Sequence, residues 1–299
     1  MSRIVVAGGS GLIGQALCQA LSKAGLEVVV LSRRPNDVPG LKAVGWDGVS
    51  SGPWQSALDG ADAVVNLAGH SMANGRWTKT VKKALFDSRI LSTRALVAGL
   101  SAAKRAPRSF INASAIGYYG PRDDEPLSED AAPGRGFLAE LCLNWEKEAR
   151  VAEAMDIPTV CLRTGVVLSA DGGALGKMLP IFRLGLGGPL GHGRQWMSWI
   201  AREDLVRLIV HCIEKRLHGP INGTAPHPVT NRQFTRSLGR ALHRPAFLPA
   251  PAFALRLAFG QMAEEALLSG QRVLPAKALE SGFKYRYPNI DIALASILG

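Results

Sequence analysis

The chain has 299 residues, 47% hydrophobic and 6% aromatic, enough for one large or two intimately joined globular domains. Its 35 Lys and Arg outweigh 24 Asp and Glu, a formal charge of +11. These cations are scattered, at most two together (Arg33-Arg34, Lys82-Lys83), so the sequence has no basic tail and no nucleic-acid-binding run. No stretch of about 18 uninterrupted apolar residues is present, which excludes a helical membrane span.

Cys18, Cys142, Cys161 and Cys212 form no C-x-x-C pair and suggest neither a zinc site nor a redox motif. Two fall in helical stretches and one in a strand, so buried reduced thiols and a cytoplasmic, reducing compartment are expected. The six histidines lack metal-ligand spacing. Removing the N-terminus as a signal peptide would destroy the strongest motif in the chain.

The elements alternate. Ile4–Ala7 is a β-branched run. Gly11–Ala24 has apolar residues at helical spacing and stops at Gly25. Glu27–Leu31, Val44–Trp46 and Ala63–Leu67 are the next three strands. A helix runs from about Thr78 to Lys104, a strand over Ser109–Ser114, a helix over Phe137–Ala154 and a strand over Thr159–Arg163. Apolar strands separated by helices predict an α/β fold, a doubly wound parallel sheet covered on both faces. After about residue 165 Gly and Pro punctuate the chain, and a helix is predicted over Glu203–Lys215. The expected division is a dinucleotide-binding Rossmann-type domain over 1–165 and a smaller C-terminal substrate-side lobe over 166–299, partly interleaved with the core. That lobe should pack over the carboxyl ends of the strands, where open sheets bind ligands.

The first motif is Gly8-Gly9-Ser10-Gly11-Leu12-Ile13-Gly14, between a strand and a helix. One glycine permits the tight turn, one lets backbone approach a pyrophosphate and one lets helix and strand pack closely. The helix N-terminus offers unpaired N–H groups to the phosphates. The second strand then ends in Ser32-Arg33-Arg34, where NAD-binding folds place an acid for the ribose hydroxyl. An Arg fork suits a 2′-phosphate, so NADP(H) is the expected cofactor. The alternative is that both arginines are solvated charges. Asn66-Leu67-Ala68-Gly69 closes the fourth strand with small residues against which a ribose can lie. Asp47 could accept from an adenine amino group or serve as a plain turn residue.

Together with Asn112-Ala113-Ser114-Ala115-Ile116-Gly117-Tyr118-Tyr119-Gly120, these motifs resemble the extended short-chain dehydrogenase/reductases. More specifically, the chain resembles the YfcH-type epimerase family, an atypical branch. The matching stretches are Arg76-Trp77-Thr78, Asp87-Ser88-Arg89-Ile90, Phe137 to Cys142 with Trp145-Glu146, Arg163 to Ser169, Gln195 to Ile200, and the tail Gly270 to Pro275. The resemblance covers essentially the whole chain. It implies an NADP(H)-dependent reductase or a nucleotide-sugar-epimerase-like oxidoreductase.

The departure is catalytic. Most of that superfamily uses Tyr-x-x-x-Lys on one helix face. Aligned on the helix starting at Phe137, Leu138 stands for the Tyr and Cys142 for the Lys, and no Tyr-x-x-x-Lys occurs anywhere. Ser114, at the end of its strand, is near the family's carbonyl-polarising Ser. Tyr118 or Tyr119 could replace the missing acid or be packed aromatics. Arg163 could contact substrate or pair with an acid. His192 and Arg194 sit in a basic, Gly-rich loop suited to an anionic small-molecule substrate, or they are plain surface residues. Glu146 and Trp145 are expected to pack against the core. The partners expected are therefore a small anionic substrate and a second copy in a homodimer, with no nucleic acid and no membrane. The alternative function is a non-catalytic NADP(H)-binding regulator or redox sensor. A nucleic-acid-binding protein using the +11 charge is a third reading, marked by steep salt dependence.

Overall fold

The computed structural model describes residues 2–72 and 75–299. In chain order the first part holds β1 (Arg3–Ala7), α1 (Leu12–Lys23), β2 (Glu27–Ser32), β3 (Lys42–Gly45), β4 (Ala63–Asn66), α2 (Lys79–Ser101), β5 (Ser109–Ala115), β6 (Pro126–Leu127), α3 (Phe137–Arg150) and β7 (Thr159–Thr164). There follow β8 (Val166–Ser169), α4 (Gly173–Arg183), β9 (Trp196–Met197), β10 (Trp199–Ala201), α5 (Arg202–Glu214), β11 (Gly219–Gly223), β12 (Val229–Thr230), α6 (Asn231–Leu242), α7 (Ala252–Phe259), β13 (Arg272–Val273), α8 (Ala276–Glu280) and α9 (Ile290–Leu298).

Seven parallel strands form one sheet in the order β11-β7-β5-β4-β1-β2-β3. From β1 the chain winds first toward β2 and then back toward β4. The crevice at this reversal, outside the carboxyl ends of β1 and β4, is where an open sheet takes a ligand. The β-branched interiors of β1 and β2 (Val5, Val6, Val29, Val30) are buried because helices cover both faces. On one face α1 and α5 pack Leu17, Cys18 and Leu21 with Leu205, Ile209 and Cys212. On the other, Leu96 and Leu100 of α2 and Ala149 of α3 close over Val64 and Phe110. A separate core around Leu175, Phe182, Trp199, Phe234 and Leu294 holds α4, α6 and α9 together.

Most element boundaries fall within a residue or two of the sequence pattern. The third strand sits earlier, over Lys42–Gly45. The expected helix over 137–154 stops at Arg150 and continues as a tighter helical turn over Val151–Met155, ended by Asp156 at φ +54°. The seventh strand was not anticipated: β11 reads Gly-Pro-Ile-Asn-Gly, a turn-like composition, yet pairs in register with β7 from Gly219–Val160 to Gly223–Thr164.

Candidate active site at the carboxyl ends of the strands

The glycine turn joins β1 to α1, and its glycines are there for different reasons. Gly8 has φ +79°, and a Cβ on it would lie 2.7 Å from the Leu67 carbonyl carbon. A Cβ on Gly9 would lie 2.7 Å from Val30 Cγ1, and one on Gly14 only 2.2 Å from the Gly8 oxygen. The protein's own packing demands these three. Gly11 differs: a Cβ there would meet only the Gly8 oxygen, at an ordinary 3.4 Å. Ser10 and Gly11 are exposed, and Leu12 and Ile13 half-buried. Gly11 is also the N-cap of α1, which has no side-chain cap and no acid in its first turn. An uncapped helix start with its positive dipole end beside open backbone fits a pyrophosphate. Leu12 reaches across to the start of α4, 3.2 Å from where a Cβ of Gly173 would stand.

At the end of β2, Ser32 Oγ accepts from the Arg34 backbone N–H at 3.1 Å. Arg34 lies a loose 3.9 Å from Asp37, with both side chains well exposed. Arg33 is exposed and has no hydrogen-bond or ionic partner among the described residues. Asp47 accepts the N–H groups of Val49 and Ser50, both at 2.8 Å, which holds its carboxyl below the usual range. It thus acts as a turn residue, one oxygen already committed. Asn66 builds the turn after β4: its Nδ2 donates to Asn112 Oδ1 at 2.7 Å and to Thr93 Oγ1 at 3.0 Å, and its Oδ1 accepts from Ala68 N at 3.1 Å. Leu67 and Ala68 pass directly over Gly8.

A buried polar chain begins at Ser114 at the end of β5. Its hydroxyl donates to Glu146 Oε1 at 2.7 Å. Arg163, on the neighbouring β7, grips Glu146 bidentately, Nε to Oε1 and Nη2 to Oε2, both at 2.9 Å. Its Nη1 donates to the Tyr119 hydroxyl and to the Glu129 carbonyl, each at 3.0 Å. Tyr119 donates in turn to Asn222 Oδ1 of β11 at 2.7 Å. Asn222 N donates to the Glu129 carboxylate, and Asn222 Nδ2 to the Leu274 carbonyl, each at 2.9 Å.

This network bears on two residues whose sequence left two readings open, and in each the packed or paired reading fits. Tyr119 is fully buried and its hydroxyl is pushed up to about 12, chiefly by burial, so it is no solvent-facing acid. Arg163 is buried, with its guanidinium spent on Glu146, Tyr119 and Glu129, so it is no free substrate contact. Tyr118 differs from its neighbour: it is half-buried, its ring lies 3.4 Å from the Arg163 guanidinium carbon, and its hydroxyl has no partner among the described residues.

Two further residues belong to the site, though the sequence gives neither a role in it. Glu146 continues the row Leu138–Cys142–Glu146 along the sheet-facing side of α3 and is buried at 6% exposure. Its helical spacing was visible; its partner on β7 was not. Arg89 is the other. It lies on the buried face of α2, donates among the described residues only to the carbonyls of Leu85 and His70 at 3.1 Å each, and stacks over Trp145 with its guanidinium 5.1 Å from the ring centre. Burial lowers it to about 10, partly countered by nearby Cys142, and it stays a cation at neutral pH. Cys142 itself is a neutral thiol, pushed up to about 12 by burial. A buried cation with no carboxylate partner among the described residues therefore stands beside Cys142 and under the turn at Gly69.

His192 and Arg194 are exposed and line a cavity of about 410 Å³ with Arg122, Asp124, Trp196 and Ser269. The loop is held by Arg194 N donating to His192 Nδ1 at 2.9 Å. Among the described residues no cluster of His, Cys, Asp and Glu could hold a metal ion, and no helix is long and apolar enough to cross a membrane.

Known proteins share this architecture. The model of the "NAD dependent epimerase/dehydratase family" matches residues 4–224, and a "Domain of unknown function (DUF1731)" matches residues 250–297. The Epimerase family protein MT2273 of Mycobacterium tuberculosis is 44% identical over 97% of this chain and 96% of its own length. The Epimerase family protein SDR39U1 of Homo sapiens is 38% identical over 99% of both chains. A crystal structure of human SDR39U1 (isoform 2) with NADPH superposes with a TM-score of 0.91 at 37% identity over 99% of both chains. A nucleoside-diphosphate sugar epimerase from Corynebacterium glutamicum superposes at 0.82 with 34% identity, over 100% of this chain and 58% of the other. The glycine turn, the seven-stranded parallel sheet and these full-length similarities place the chain in the NAD dependent epimerase/dehydratase family, among the epimerase family proteins.

Proposed function

We propose that this protein binds NADP(H) on the glycine turn and uses it as a reductase or epimerase-like oxidoreductase on a small anionic substrate. The observation that carries the reading is the pairing of an uncapped helix start at Gly11 with a β2 end that presents unpaired Arg33 and no acid. The NADPH in the human SDR39U1 crystal supports the same choice of cofactor. Bound there, the dinucleotide supplies a hydride donor or acceptor.

The residues then take distinct parts. The N–H groups at the start of α1 hold the pyrophosphate, and Arg33 with Ser32 faces the 2′-phosphate. Arg89 supplies a fixed positive charge where a Lys is missing. Tyr118, the tyrosine of this cluster with an uncommitted hydroxyl, holds the proton to be given or taken. The Ser114–Glu146–Arg163–Tyr119 chain fixes the floor beneath it. His192 and Arg194 meet the anionic end of the substrate. One observation favours a non-catalytic NADP(H)-binding regulator instead: the Ser114 proton faces Glu146 and not an incoming carbonyl.

Calorimetric titration with NADPH, NADP⁺, NADH and NAD⁺ decides the cofactor. NADP(H) should bind at least tenfold tighter, about 1.4 kcal/mol, and Arg33→Ala should erase the preference. Absence of all dinucleotide binding would sink the proposal. With a substrate in hand, Tyr118→Phe should cost about 10²-fold or more in NADPH oxidation while leaving NADPH affinity intact. If no carbonyl substrate oxidises bound NADPH, the regulator reading stands.

A further inference from the structure

Half of the large exposed apolar side chains among the described residues fall in three neighbouring segments. Leu184 and Leu186 follow α4, Phe247 and Leu248 follow α6, and Phe253 and Leu257 project from α7. Leu184, Phe247, Phe253 and Leu257 are each more than 70% exposed. The segments lie side by side: Leu248 N donates to the Gly187 carbonyl at 3.2 Å, Ala250 N to Pro189 O at 2.9 Å and Gly191 N to Ala250 O at 2.8 Å. Helix α7 buries none of its eight residues although all of them except Arg256 are Ala, Leu or Phe. A coherent apolar patch of this kind marks an interaction site.

Arginines border it. An open groove of about 1330 Å³ runs along α6, lined by Arg232, Arg236 and Arg240, which recur every fourth residue on one helix face, and by Arg244 and Phe247 just beyond the helix end. Arg244 also reaches back to the Arg183 carbonyl at 3.0 Å, tying the basic stripe to the Leu184 loop. Acids are few: Asp291 pairs with Arg240, and Glu264 pairs with Arg256 of α7. Arg232 donates to the His192 carbonyl, and Arg236 is exposed without a partner among the described residues.

We infer that this face docks onto an anionic lipid bilayer surface, with the Leu and Phe tips entering the headgroup boundary and the arginines meeting lipid phosphates. A second copy of the chain is the poorer occupant, because a two-fold contact would set the arginine stripe against itself. A nucleic acid would use the arginines and leave the leucines in water. A bilayer uses both. Such docking lies on the surface and involves no membrane-spanning segment. It stands apart from the cofactor reading.

The test is co-sedimentation of the full chain with vesicles of phosphatidylcholine alone or mixed with phosphatidylglycerol, at low and near-physiological salt. The protein should partition at least tenfold more strongly onto the anionic vesicles, less so at higher salt. Leu184→Ser/Phe247→Ser and Arg236→Glu should each lower that partition at least tenfold while NADPH affinity and thermal midpoint stay at the parent values. Equal pelleting by the parent and both variants, or no pelleting with anionic vesicles, overturns the inference. So does a stable dimer in sedimentation velocity that Leu184→Ser/Phe247→Ser dissolves, since the patch is then covered by its own copy.

Discussion

Glu146 and Arg163 show what burial does to a charged pair. Their side chains are 8% and 4% exposed, and both guanidinium edges facing the carboxylate are used. Taking two charges from water is expensive, so the pair adds little net stability compared with an apolar pair of the same shape. Breaking it is another matter. Glu146→Gln leaves Arg163 charged and buried and deprives Ser114 of a charged acceptor, and it should cost about 3–5 kcal/mol in denaturant melts. Glu146→Leu/Arg163→Met should recover much of the loss. A single-variant cost under about 1 kcal/mol would mean that water reaches the pair. The same residues explain what could be read beforehand. Gly8 to Gly14 announce themselves, because their demands are local. Arg163 carried two readings, contact or ion pair, because its partner lies on α3 and only the folded sheet joins them. Tyr118 and Tyr119 are adjacent in sequence, yet a single helical turn sends one into the core and leaves the other at its edge.

Helix α3 carries Cys142 and Glu146, yet its own start is poorly provided. Its N-cap is Gly136 at φ +107°, with no side chain to accept the first N–H groups. Glu265, far along the chain, does this instead, accepting from Phe137 N at 3.3 Å and Leu138 N at 3.0 Å. The segment before β13 is thus a cap for a helix of the central fold. Glu265→Ala should cost about 0.5–2 kcal/mol, the ordinary worth of a cap. Amide exchange at Phe137 and Leu138 should speed up while that of β1 stays unchanged. Unaltered exchange at those amides would show that water caps the helix equally well. Such a contact leaves no periodicity in the sequence, which is why the glycine turn, the helices and six strands were legible and the role of the tail was not. Strand β11 was missed for a related reason. Gly-Pro-Ile-Asn-Gly has low strand propensity, and the edge of β7 imposes its conformation.

Across the whole molecule, the four cysteines are all buried and unbridged. Burial pushes the Cys18 thiol up to about 11, those of Cys142 and Cys212 up to about 12, and that of Cys161 higher still. In the unfolded chain each would ionise near 9. Above that pH the unfolded state sheds protons that the folded state keeps, so stability is intact below about 9 and falls as pH rises through 11 and 12. The thermal midpoint should drop steeply from pH 9 upward, and less so in Cys18→Ala/Cys212→Ala. A thiol-labelling reagent should find no reactive cysteine in the native protein at pH 8 and four in denaturant; rapid native labelling would refute this account of burial. It also means that any sensing of redox state runs through the dinucleotide and not through these thiols. Strand β11 has a consequence in time as well as in space. The edge of β7 that it covers is synthesised about 60 residues earlier. At ordinary translation speeds of about 5–20 residues per second, the sheet stands with an open, hydrogen-bond-hungry edge for on the order of several seconds on the ribosome. Over that interval the buried chain from Ser114 to Asn222 lacks its last link, so the floor of the site can set only once the second half of the chain has emerged.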